Sequence, residues 1–130
     1  EENAYNFAFS CPPYYNLEIY SELDGDMSNA QTYEEFLKML WRSLEITYRG
    51  LKSGALCIWV VGNFRPNKGK CCLTHFNGDL VRLGLDIGFK LHDEVIFWGG
   101  SNAAVQRAGQ FVANRKIVRI HEYLIIFRKS

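Results

Sequence analysis

Tyr5-Asn6-Phe7-Ala8-Phe9-Ser10-Cys11-Pro12-Pro13-Tyr14 decides how this chain is read. The aromatic run from Tyr5 to Phe9 reads as a short strand. It stops at two prolines, which have no amide to give to a sheet ladder. The strand's carboxyl end therefore opens into a loop, and that loop continues to the turn signal Asp24-Gly25-Asp26. Beyond it Thr32-Tyr33-Glu34-Glu35 has the form of a capping box. Tyr33, Phe36, Leu37, Leu40, Trp41, Leu44 and Tyr48 then recur at helical spacing, which predicts a helix with one apolar stripe that ends at Gly50 or Gly54. Ala55 to Val61 is continuously apolar, as expected of a strand buried on both faces of a mostly parallel sheet. A polar loop follows from Asn63 to Lys70. A shorter helix is expected from Asp79 to Ile87, with Gly84 inside it and Gly88 just past its end. Strands near Glu94–Trp98 and Ile117–Phe127 are joined by a loop of small and polar residues from Gly99 to Asn114. The order β-α-β-α-β-β is that of an α/β fold. With no helix between them, the last two strands are expected as an antiparallel pair at the sheet edge.

Composition narrows the class. At 130 residues the chain makes one domain or part of one, short for an enzyme that carries its own cofactor fold. With 48% apolar residues, 15% aromatics and 3 prolines, it is a packed globular sequence. The run from Ala55 to Val61 is far too short to span a bilayer, and no signal-peptide series opens the chain, so no membrane partner is expected. Four cysteines (Cys11, Cys57, Cys71, Cys72) show no paired spacing, which points to a reducing, cytoplasmic setting. The net charge of +1 hides an asymmetry. Residues 1–60 carry 4 Lys/Arg against 9 Asp/Glu, and residues 61–130 carry 11 against 5. A basic second half suits phosphates, and solvated surface charge accounts for it equally well.

Cys11-Pro12-Pro13-Tyr14 after a short strand resembles the motif of the AdoMet-dependent DNA amino-methyltransferases, in which an acidic or polar residue precedes Pro-Pro-aromatic. Asn16-Leu17-Glu18-Ile19-Tyr20-Ser21 and Asp26-Met27-Ser28 are similar to the polar loop after that motif. Val60 to Arg65, with Gly69 shortly after, resembles the family's next strand and loop, and His121 to Lys129 resembles its last sheet strand. The resemblance covers nearly all of the chain. It implies one partial methyltransferase catalytic domain over residues 1–130, the C-terminal half of a Rossmann-like fold with a mostly parallel sheet and an antiparallel edge pair. The implied reaction is methyl transfer from AdoMet to the exocyclic amine of a flipped base in DNA, adenine favoured over cytosine; RNA and protein glutamine are related substrates. Such an amine is a poor nucleophile because its lone pair is delocalised into the ring. Acceptors around its hydrogens favour a tetrahedral nitrogen aimed at the methyl group.

By the same resemblance, Pro12 would offer the carbonyl acceptor, Pro13 would fix the loop, and Tyr14 would stack on the target base. Tyr15 is a second stacking candidate. Cys11 occupies the position of the acidic or polar acceptor, although a thiol accepts weakly, and Ser10 is the neighbouring alternative. Ser10 and Cys11 together would border the cofactor. Arg107, Arg115 and Lys116, with Arg119, cluster in or near the last loop and are candidates for phosphate contact.

The family's Phe-x-Gly-x-Gly turn for AdoMet, with an acidic residue for the ribose, is missing from this sequence. Gly99-Gly100 lacks the third glycine. A missing N-terminal segment or a partner chain would then supply the cofactor site. The rival reading is a non-catalytic α/β module that binds DNA or a partner protein. A flavodoxin-like domain fits poorly, because a double proline removes the amides a phosphate loop needs. No metal is expected: Cys71, Cys72 and His75 are badly spaced for zinc. His121 and Glu122 fall on opposite faces of a strand and cannot form a simple acid/base pair. Trp41 is expected in the core, Trp59 in a buried strand, and Trp98 capping the sheet. With no glycine turn, the 130-residue chain should bind AdoMet weakly or not at all. Titration calorimetry checks this, and micromolar affinity would contradict it.

Overall fold

The computed structural model describes residues 1–66, 72–99, 109, 117 and 119–130. Its elements run β1 (Tyr5–Ser10), α1 (Tyr33–Gly50), β2 (Leu51–Val61), α2 (Phe76–Ile87), β3 (Phe89–Trp98) and β4 (His121–Lys129), with 3-10 turns at Tyr15–Leu17 and Met27–Asn29. The sheet order is β1-β2-β4-β3. β1 pairs parallel with β2, and β4 pairs antiparallel with both β2 and β3. Three strands thus point one way, and the expected antiparallel edge pair is β3 with β4. Sequence patterning leaves open that β4, last in the chain, enters between β2 and β3. Its start also differs, at His121 and not near Ile117.

Local signals explain the helix limits. Thr32 Oγ1 accepts the Glu35 amide at 3.1 Å, and Glu35 Oε2 reaches back to the Gln31 amide at 2.8 Å, so the capping box closes one residue further out than its usual form. α1 runs straight into β2 with no loop. α2 ends at Gly88, whose left-handed backbone (φ +118°) lets its amide reach the carbonyls of Gly84 and Leu85. The slip in register between Tyr5 and Phe7 lies opposite the part of β2 where Gly54 takes φ +79°.

Both helices lie on one face of the sheet. Phe36, Leu40 and Leu44 of α1 and Phe76 and Leu80 of α2 are fully buried, as are Cys57, Val61, Ile125 and Phe127 of the strands beneath them. Tyr33 ties the two helices together, its hydroxyl donating to Asp79 Oδ2 at 2.8 Å. Trp59 is buried as expected, whereas Trp41 sits at the margin of the α1 stripe and is 39% exposed. Trp98 is exposed at the end of the edge strand.

The expectation that β2 is buried on both faces is corrected. Its residues from 57 to 61 alternate between buried and half-buried, because the described helices cover only the face of Cys57, Trp59 and Val61. On the other face the register brings Phe7 and Phe9 beside Leu56 and Ile58, and Val95 beside Leu124. Phe7, Phe9 and Phe97 each remain more than half exposed there.

Gly84 sits inside α2 for a packing reason. A Cβ there would lie 2.5 Å from Cζ of Phe127. Gly84→Ala gains about 1 kcal/mol of helix propensity but overpacks the core at a cost of about 1–3 kcal/mol. The variant should therefore melt at lower temperature than the parent; an equal or higher melting temperature would show that Phe127 yields freely.

Candidate active site

Ser10 and Cys11 lie at the carboxyl end of β1, and the chain leaves the sheet through Pro12 and Pro13, both buried. Cys11 is exposed. Its thiol is held above the ordinary range, first by partial desolvation and then by the negative charge of Glu122, so at neutral pH it is a neutral thiol.

The two tyrosines that follow diverge. Tyr15 takes a left-handed backbone (φ +52°), which costs a non-glycine residue about 1–2 kcal/mol. Its ring turns into the core beside Tyr33, Phe36 and Phe64, and its hydroxyl donates to the Gln31 carbonyl at 3.0 Å. At 9% exposure it offers no open face. The role of second stacking residue is thereby corrected: Tyr15 is an anchor for the loop, and these contacts offset its backbone strain.

Tyr14 instead lies half-buried over the carboxyl end of β2. Its ring is parallel to Phe64 (centroids 6.3 Å, 15°) and meets Phe76 edge-on at 6.2 Å. Its hydroxyl donates to Glu122 Oε1 on β4. A Cβ on Gly62 would lie 3.3 Å from the Tyr14 hydroxyl oxygen and 3.7 Å from Glu122 Cγ, so a glycine clears the space for this pair. Strand alternation separates Glu122 from its neighbour His121 and suggests no other partner. The partner it has is 108 residues distant, and no local pattern could name it.

The loop after the motif is braced from within. Asp26 Oδ1 accepts from the Ser28 amide and hydroxyl at 2.8 and 2.7 Å, and Oδ2 accepts from the Ser21 hydroxyl at 2.7 Å. These bonds hold the Asp26 carboxyl below the usual carboxylate range. Arg119 lies just ahead of β4, where burial first, and then the charge of Arg65 after β2, lower its proton affinity. Two guanidinium groups thus share the end of the sheet that carries Cys11 and Tyr14. Arg107, Arg115 and Lys116 lie outside the described residues, as does Cys71. Among the described residues no group of three or more His, Cys, Asp or Glu side chains could hold a metal ion. No helix among them is long and apolar enough to cross a membrane.

No protein-family model matches the sequence, and no curated protein does. Solved structures do match in fold. One is a protein of Thermus thermophilus described as a DNA modification methylase, in complex with S-adenosyl-L-methionine. It aligns with a TM-score of 0.71 and 22% identity over 99% of this chain and 49% of that one. The PvuII DNA methyltransferase, cytosine-N4-specific, aligns with a TM-score of 0.71 and 17% identity over 99% of this chain and 44% of that one. An SAM-dependent methyltransferase of Methanosarcina mazei aligns with a TM-score of 0.53 and 14% identity, over 98% and 60%. The chain carries part of a Rossmann-like methyltransferase fold. It spans just under half the length of the two DNA methylases.

The phenols make this region sensitive to alkali. Burial, then the hydrogen bond to a carboxylate (Glu122 for Tyr14, Asp79 for Tyr33), hold both hydroxyls well above the usual phenol value of about 10. Above about pH 10 the unfolded chain loses protons that the native protein keeps. Their contribution is therefore complete below that pH and is lost as pH rises past it. Urea midpoints should be level from about pH 7 to 9 and fall above about 10; the double variant Tyr14→Phe/Tyr33→Phe should fall less. An identical decline in both proteins would contradict this assignment.

Proposed function

We propose that this chain is the catalytic half of an AdoMet-dependent DNA amino-methyltransferase, acting on the exocyclic nitrogen of a flipped base, adenine favoured over cytosine. The observation that carries the reading is the Pro-Pro-Tyr loop at the carboxyl end of β1, in a chain whose fold matches two proteins described as DNA methylases along 99% of its length. Binding at the carboxyl ends of strands is the rule for open α/β sheets.

AdoMet, when bound, supplies an electrophilic methyl group. The residues here fit its reacting end, since Ser10 and Cys11 border the space beyond β1; the sequence has no glycine turn for its adenosine end. This chain's own part is to hold the base and its amine. Tyr14 stands half-open beside the motif to meet the base face, worth about 1–3 kcal/mol by analogy with single-strand platforms. Pro12 offers a carbonyl to an amine hydrogen. Cys11, a neutral thiol, is a weaker acceptor than the acidic residue the motif usually has there. Arg65 and Arg119 bring positive charge to the same end of the sheet, where it would meet phosphates and position the duplex without reading sequence.

Among the described residues no helix covers the second sheet face, which supports the idea of a half: Phe7, Phe9 and Phe97, each more than half exposed there, are the side chains a further layer would bury. That layer would carry the cofactor turn, on the same polypeptide or on a partner chain.

Expression of the complete coding sequence that contains this chain, in a host without DNA methylases, should yield N6-methyladenine in its DNA by nucleoside mass spectrometry. N4-methylcytosine would reassign the base. Neither modified base in the DNA of cells that hold soluble protein would overturn the reading in favour of a non-catalytic module.

A further inference from the structure

Of the carboxylates near the motif, Glu18 is engaged by the Tyr20 hydroxyl at 2.9 Å, whereas Glu122 reaches Tyr14 from the opposite end of the sequence. Packing against Phe64 and Phe76 needs only the Tyr14 ring, and phenylalanine would pack there equally. The hydroxyl adds what packing lacks, a directional restraint at the tip of the ring, and a hydrogen bond to an ionised acceptor is the stronger kind. Gly62 leaves room beside the pair, since a Cβ there would sit tightly, at 3.3 Å, against the Tyr14 hydroxyl oxygen. The negative charge of Glu122 is also felt at Cys11.

We propose that Glu122 is the positioning residue of the Pro-Pro-Tyr loop. Its carboxylate holds the Tyr14 hydroxyl and so sets the tilt at which the ring presents itself to a planar substrate group beside Cys11 and Pro12. The inference rests on the methyltransferase reading for its consequence, but the Tyr14–Glu122 pair can be measured without it.

Two experiments separate them. In the 130-residue chain with ¹³C-labelled tyrosine, the resonance absent from Tyr14→Phe identifies Tyr14. In the parent its titration should lie above every exposed tyrosine. In Glu122→Gln, which keeps the shape and removes the charge, it should move down. In the complete protein, Glu122→Gln and Tyr14→Phe should each lower kcat for DNA methylation about tenfold, with KM for DNA within about twofold. The double variant should fall no further than either single one, because both remove the same restraint. An unshifted Tyr14 titration in Glu122→Gln overturns the pairing whatever the activity. A shifted titration with unchanged kcat overturns the positioning role and leaves a structural bond. A complete protein that methylates nothing defeats the methyltransferase reading alone, and the titration still decides the pair.

Discussion

The antiparallel entry of β4 between β2 and β3 is the interaction on which the rest of this structure depends. Without it β3 would have no neighbour, and the sheet would end after two strands. Once β4 is in place, Ile125 and Phe127 complete the covered face, and Phe127 stacks on Phe89 while lying against Gly84. The glycine in α2 and the aromatic on β4 are one packing unit, so a position that weakens the helix locally is retained for what it admits. The same strand, four residues before Phe127, turns Tyr123 to the covered face, and the next residue back is the Glu122 that meets Tyr14.

That arrangement explains why the site sits where it does. The carboxyl ends of β1 and β2 lie side by side because those strands are parallel, and β4 begins at the same edge because it runs against them. Cys11, Gly62, Arg65, Arg119 and Glu122 therefore gather at one end of the sheet although they are spread along almost the whole chain.

The sheet is covered by helices on one side only among the described residues, and its other side is apolar. Such a face is costly to leave in water, at roughly 25 cal/mol for each Å² of apolar surface. The methylases that share the fold are about twice as long as the matched region.

Much of this is legible in the sequence because its causes are local. The capping box, the α1 stripe, the stop at Pro12-Pro13 and the C′ glycine at position 88 each depend on residues within a turn or two, and the structure has all four. The motif loop at the end of the first strand is readable for the same reason. The misreadings share an opposite origin. Ala55 to Val61 reads as buried on both sides because apolar character does not say which layer is present to cover it. Trp41 reads as core because helical spacing gives a face but not the width of the sheet beneath it. Tyr15 reads as a second base platform because it adjoins the first, yet a left-handed backbone at that residue sends its ring to α1. Glu122 cannot be found from sequence at all. Sequence by itself determined the elements and the motif, since short-range hydrogen bonding and side-chain period set those. The tertiary structure decided strand order, which face is covered and which carboxylate holds Tyr14, because those depend on contacts between residues that only the folded sheet brings together.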